Sequence, residues 1–134
     1  MNSRKFTGRF SVVVLSLVLL ALSQIVMAAD NISYDEYLIK SLNDENIGRR
    51  ASAAQLLGDR SVQLAVQPLI NMLQSDKDFR VRIVAAVSIY KVGDSSVLSQ
   101  LKKIYKNEKN RTVRHVLSGI IVAFQTQEQK SITL

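Results

Sequence analysis

Three arginines each stand six residues behind an acid: Asp44/Arg50, Asp76/Arg82 and Glu108/Arg114. A guanidinium offers five fixed N–H donors and can grip a carboxylate through two parallel hydrogen bonds. Such an arginine could anchor an anionic ligand, or it could tie two segments of one chain together. Arg82 decides how to weigh these uses. On a helical wheel with Arg80 at zero it falls at roughly 200°, between Ile89, Ala85 and Ala86. That is the middle of the face a helix buries. A charge there needs a partner, because an unpaired buried charge is strongly unfavourable. Its stem can lie along apolar neighbours while the guanidinium reaches toward the turn that carries Asp76. A structural tie is therefore the main reading, and a ligand-binding arginine the alternative.

The elements that must position these pairs come from an internal repeat. Shifted by 32 residues, "LINMLQSDKDFRVRIVAAVSI" from Leu69 lies over "LKKIYKNEKNRTVRHVLSGII" from Leu101 without a gap. Val81, Arg82, Val84 and Ile89 meet Val113, Arg114, Val116 and Ile121. Shifted the other way, Arg50 meets Arg82, and Ala53-Ala54 meet Ala85-Ala86. Strand signals are absent and the apolar spacing is helical, so a period of this length predicts a solenoid of helix pairs.

The limits of the helices can be sketched. Ser33 with Glu36 is a capping-box candidate opening a first helix that ends near Leu42. A second helix runs from Ile47 to Leu57 and stops at Gly58, a residue that takes a left-handed C′ conformation cheaply. A third starts near Ala65, which leaves Pro68 in a first turn where a missing N–H is harmless. Later helices span Phe79 to Val92, Ser96 to Tyr105 and Arg111 to Phe124.

"RVRIVAAVSIYKVGD" and "RRASAAQLLGD", each with an aspartate six residues before its second arginine, resemble the HEAT-like repeats grouped around phycobilisome lyase subunits. The likeness covers about Leu38 to Phe124 and implies an all-α fold, a short α-solenoid of about three helix pairs. It also implies a ladder in which Arg50, Arg82 and Arg114 alternate with Asp44, Asp76 and Glu108, bonding the turn acids of their own and neighbouring repeats. In that family the second helices line the concave side, where extended partners dock. The exposed stripe of the middle repeat would then be Arg80, Val84, Val87, Ser88 and Lys91. Gly48, Ser52 and Gln55 match it in the first repeat; Thr112, Val116, Gly119 and Ala123 match it in the third. Val84, Val87 and Val116 make an apolar strip rimmed by Arg80 and Lys91, unless they are ordinary exposed valines.

The final helix carries more apolar residues than one stripe can bury: Val116, Leu117, Ile120, Ile121, Val122 and Phe124. A partner or a second copy is expected to dock there, with Ile120 and Phe124 central. The competing reading folds the tail from Gln125 to Leu134 back as a lid, using Ile132 and Leu134.

The chain opens with Arg4, Lys5 and Arg9, then the apolar run "VVVLSLVLLAL", then small residues through Ala29. This is a secretory signal pattern, cut after Ala28, or nearby after Ala29 or Ser23. An uncleaved anchor is the alternative, since Val12 to Ala29 is close to the ~20 residues of a membrane span. The expected organisation is therefore a signal segment over 1–29, a repeat domain over 30–124 and a flexible tail over 125–134, in a periplasmic or secreted protein. With no cysteine, packing alone must hold the fold.

Removing the three leader cations leaves 15 basic against 11 acidic side chains, a net charge of +4. Much of the high pI thus belongs to the leader and to residues 101–115, which hold six cations against Glu108 alone. Lys102, Lys103 and Lys106 would face outward from a buried Leu98/Leu101/Ile104/Tyr105 stripe. A solvated face is the plainer meaning of that charge, and an anion-binding patch the sharper one. The aromatic residues are too few for nucleic-acid stacking.

No catalytic constellation can be assembled. His115 is the single histidine, Asp35-Glu36 and Asp44-Glu45 are adjacent pairs that diverge on a helix, and no phosphate loop or metal spacing occurs. The expectation is a non-catalytic protein without cofactor or metal that binds another protein as an adaptor or assembly factor. The alternatives are a membrane-anchored module contacting anionic lipid and an accessory subunit of an enzyme. Self-association is allowed, and membrane contact arises only if the leader is retained.

Overall fold

A computed structural model describes the backbone of residues 6–132 and the side chains of residues 13–22 and 34–130. The described residues form six α-helices: α1 (Phe6–Ser41), α2 (Ile47–Asp59), α3 (Val66–Ser75), α4 (Phe79–Val92), α5 (Leu98–Asn107) and α6 (Arg111–Ile132). Short 3-10 turns at Gln63–Ala65 and Ser95–Val97 precede α3 and α5. The chain divides into two compact units, Met1–Glu36 and Tyr37–Leu134. In the first unit every side chain from Val13 to Leu22 is exposed. Among the described residues no helix is long and apolar enough to cross a membrane.

The second unit is built in pairs. The end of α1 precedes α2, α3 pairs with α4, and α5 pairs with α6. The second helices stack, with α4 between α2 and α6 while also resting on α3. One core runs through all three pairs, from Leu38 and Leu42 through Leu57, Leu69, Leu73, Ile89 and Leu101 to Leu117 and Phe124. The position of α4 explains its composition. With neighbours on three sides it buries Val81, Ala85, Ala86, Ser88, Ile89 and Val92, which leaves only a narrow outer arc.

Three expectations from the sequence need correction. Helix α1 is continuous from Phe6, so Ser33 lies inside it and opens nothing. Helix α6 extends to Ile132, so the backbone after Phe124 continues as helix; the side chains of Ile132 and Leu134 lie outside the described residues. Gly58 lies within α2, not beyond its end. The left-handed residue there is Ser61 (φ 52°), whereas Gly93 does take that conformation (φ 79°) and ends α4. Pro68 sits in the first turn of α3, where its missing N–H costs nothing.

Gly58 has a different reason to be glycine. A Cβ built there would stand 2.8 Å from both Cα and Cβ of Ser88, so α2 and α4 touch backbone to backbone at this point. This contact also explains why Ser88 is buried, although the wheel placed it on the exposed stripe. Gly58→Ala should therefore force the second helices of the first two repeats apart and cost about 1–3 kcal/mol, read as a lowered urea midpoint. Ser88→Ala in the same background should rescue little, because the clashing Cα and Cβ remain.

Candidate functional site

The turn inside each helix pair is built the same way three times. Its acid accepts the N–H of the residue two places on: Asn46 at 2.8 Å from Asp44, Asp78 at 2.9 Å from Asp76, and Asn110 at 2.7 Å from Glu108. That second residue then caps the following helix. Asn46 accepts from the Arg49 N–H, Asp78 from Arg80, and Asn110 from Thr112 and Val113. These caps escaped the sequence reading, although a side chain of the Asx type recurs two places after the acid at each 32-residue step.

The arginines complete the turns. Arg50 donates Nε and Nη2 to the two carboxylate oxygens of Asp76 at 2.7 and 3.1 Å, and Nη1 to the backbone carbonyls of Asp44 and Glu45. Arg82 repeats this one layer on, with 3.0 Å bonds to both oxygens of Glu108 and a 2.8 Å bond to the carbonyl of Asp76. Each arginine thus takes the carboxylate of the next repeat and a carbonyl of its own turn. The expected bond to its own repeat's carboxylate is absent. The Asp44 carboxylate lies 3.3 Å from Arg49 instead. Arg114 departs further: its side chain is exposed and makes no hydrogen bond or ion pair among the described residues, which include no fourth turn acid to match Asp76 and Glu108.

Both rungs are largely buried, the arginine side chains 16% exposed and their acids 6% and 7%. Burial alone would raise the pKa of Asp76 and Glu108. Both instead lie below the ordinary carboxylate range, because Arg50 and Arg82 and the turn N–H groups stabilise the charged form. Asp78 falls to about 2 under the side chain and N–H of Arg80.

The proposed docking residues separate into two groups. Arg80 and Lys91 are exposed and each is ion-paired, Arg80 with Asp78 at 2.7 Å and Lys91 with Asp59 of α2 at 2.5 Å. Val87 lies between them, exposed, and Val84 and Val116 are half-buried against the core. Ile120 and Phe124 do not belong to this surface. They are 7% and 0% exposed, with Phe124 edge-on to Tyr90 at 5.4 Å. Helix α6 rests on α4 and α5 together, so its buried arc is wide enough for Val113, Leu117, Ile120, Ile121 and Phe124. Val122 is left as the apolar residue facing out.

Two clefts flank the rungs. One of about 750 Å³ includes Asp44, Arg50 and Asp76, and one of about 380 Å³ includes Arg82, Glu108 and Lys103. Among the described residues no buried side-chain nitrogen or oxygen lacks a partner, and no group of His, Asp or Glu could hold a metal. The Arg50, Asp76, Arg82 and Glu108 charges that border the clefts are therefore spent on one another. His115 is exposed on α6.

The chain matches the family described as HEAT repeats over residues 36–120, well over half its length. It belongs to the HEAT-repeat family. No curated protein matches it. HEAT repeats commonly serve as protein-interaction scaffolds and are typically non-catalytic.

Two outcomes test the ladder of this HEAT-repeat domain. Arg82→Ala should cost about 2–4 kcal/mol, because Glu108 is left buried and uncompensated. Arg80→Ala, two residues away and exposed, should move the urea midpoint far less; equal midpoints would contradict the rung geometry.

The second outcome is acid sensitivity. Asp76 and Glu108 have folded-state pKa values below their unfolded values of about 4. Their stabilisation is present above that pH and is lost as pH falls through the folded values. An Asp76→Asn/Glu108→Gln variant should be less stable at pH 7 and show a flatter decline in urea midpoint below pH 4.

Proposed function

We propose that this is an exported, non-catalytic HEAT-repeat protein that binds another protein as an adaptor or assembly factor. The observation that carries the reading is the outer arc of α4. There Val87 and Val84 lie between Arg80 and Lys91, and both cations are steadied by neighbouring acids. A small apolar patch rimmed by oriented charges suits a protein surface: the apolar centre supplies affinity and the rim sets register. The stacked second helices continue this face through Ser52 and Gln55 on one side and Val116 on the other. Export rests on the basic start, the apolar run and the small residues before Asp30. It supports a periplasmic or secreted location.

Crosslinking in the native envelope followed by affinity capture tests the binding. Val87→Glu should abolish the specific crosslinked species while the urea midpoint stays near that of the unaltered protein. A crosslinked species that survives Val87→Glu undiminished removes this face from the interface. Mass spectrometry of the mature chain tests export separately: a terminus near Ala28 to Asp30 is expected, and an intact Met1 overturns the cleaved-leader reading.

A further inference from the structure

A terminal unit of a repeat array needs a polar outer face to stay soluble, and the last described pair has one. The 32-residue register shows how this chain does so. Ile70, Leu73 and Gln74 of α3 occupy the positions that Lys102, Tyr105 and Lys106 occupy in α5. Ile70 and Leu73 are 1% and 0% exposed, with Leu73 against the α5 side of a cleft that Ile104 and Lys103 also line. Their replacements Lys102 and Tyr105 are exposed, Tyr105 contrary to the buried place the helical spacing gave it, because the following layer that covers Leu73 has no counterpart there among the described residues. On the second helices, Phe79 and Ile83 of α4 become Arg111 and His115 of α6, both exposed.

Solubility would accept any polar residue at these places, acids included. None is an acid. Of the two acids of the last pair, Glu128 lies far along α6, beyond Phe124, and Glu108 is already bound through both oxygens to Arg82. Lys102, Lys106, Arg111 and Arg114 are exposed and have no ion pair or hydrogen-bonding partner for their charged groups among the described residues. Arg114 adds a geometric point. Its two counterparts each hold a carboxylate through Nε and Nη2, presented by the layer that follows.

We propose that the open end of the last repeat is a docking surface for an acidic protein segment, with Arg114 gripping one of its carboxylates where the acid of a fourth turn would lie. Lys102, Lys106 and Arg111 steer and hold the rest of that segment. This surface is separate from the outer arc of α4, and the inference holds whether or not the leader is removed. A second copy of the chain fits less well. Its first-turn acid, Asp44, already accepts the Asn46 N–H and lies against Arg49, whose side chain is 75% exposed and would bring like charge to the contact. A guanidinium can grip a lipid phosphate through two bonds as well, but both filled rungs of the array hold carboxylates, which favours an acidic segment.

The test is fluorescence anisotropy of the full chain with a labelled oligoglutamate peptide, at low and at physiological salt. Saturable binding that weakens with salt is expected. Arg114→Ala should weaken it about ten-fold. Arg114→Lys should recover little, since lysine keeps the charge but lacks the two-pronged donor geometry. Arg49→Ala, a cation removed from the opposite end, should leave binding unchanged. Because the Arg114 side chain is exposed and makes no hydrogen bond or ion pair among the described residues, its variants should melt with the unaltered protein; a Lys102→Glu/Lys106→Glu variant gives an independent loss from α5. Equal peptide binding by the unaltered protein and Arg114→Ala overturns the proposal. So does binding to phosphatidylglycerol vesicles without binding to the peptide, which assigns the patch to lipid. A dimer in sedimentation velocity that Arg114→Ala dissolves also overturns it and assigns the end to self-association.

Discussion

Each repeat of this protein is electrostatically incomplete by itself. Arg50 and Arg82 are mostly buried, and the carboxylates that neutralise them come from the following repeat. Desolvating an arginine and an acid is costly, and the geometry returns that cost through two parallel bonds plus a carbonyl from the arginine's own turn. A truncated array ending after α2 would leave Arg50 without Asp76 in a half-buried place. The rungs therefore couple the layers more tightly than apolar contact alone would, and they fix the register between them. A slip of one helical turn would separate every donor from its acceptor.

The same constraint allocates charge along the molecule. Asp76 and Glu108 each serve twice, holding their own turn through a backbone N–H and accepting the preceding arginine. At the first turn Asp44 has no preceding arginine, so its carboxylate turns to Arg49. The last described turn has the opposite surplus, an arginine with no following turn acid among the described residues. A ladder of this directionality must end in one unused acid and one unused arginine, and the chain treats the two ends differently. It neutralises the acid locally and surrounds the arginine with further cations.

Much of this was legible in the sequence because it is periodic. The 32-residue shift aligned the acids and arginines, and the wheel set Arg82 on the buried face of α4, whose limits of Phe79 and Val92 were also readable. The failures share a cause, which is that a wheel treats one helix at a time. Ser88 faces outward by angle but meets the backbone of Gly58, a contact that depends on how closely α2 approaches. Ile120 and Phe124 looked surplus because a single buried stripe was assumed, whereas α6 rests against two helices. Gly58 was assigned to a helix end on composition. Its real requirement is the absence of a Cβ, and that is visible only when two helices are placed together.

The central place of α4 explains why these close contacts matter. Among the described residues α4 is the only second helix with a second helix on each side, so this one layer supplies most of the well-packed interior. No disulfide adds to it. Small residues are therefore placed where α4 meets its neighbours: Ala85, Ala86 and Ser88 on α4, with Ala53, Ala54 and Gly58 on α2, all buried. They let the helix axes approach and bring the main chains within dispersion range. Close approach also shortens the span each arginine must bridge, so apolar packing and the ladder depend on the same interlayer distance. A substitution that widens the α2–α4 contact at Gly58 would stretch the Arg50–Asp76 bonds as well, although no atom of that rung had been changed.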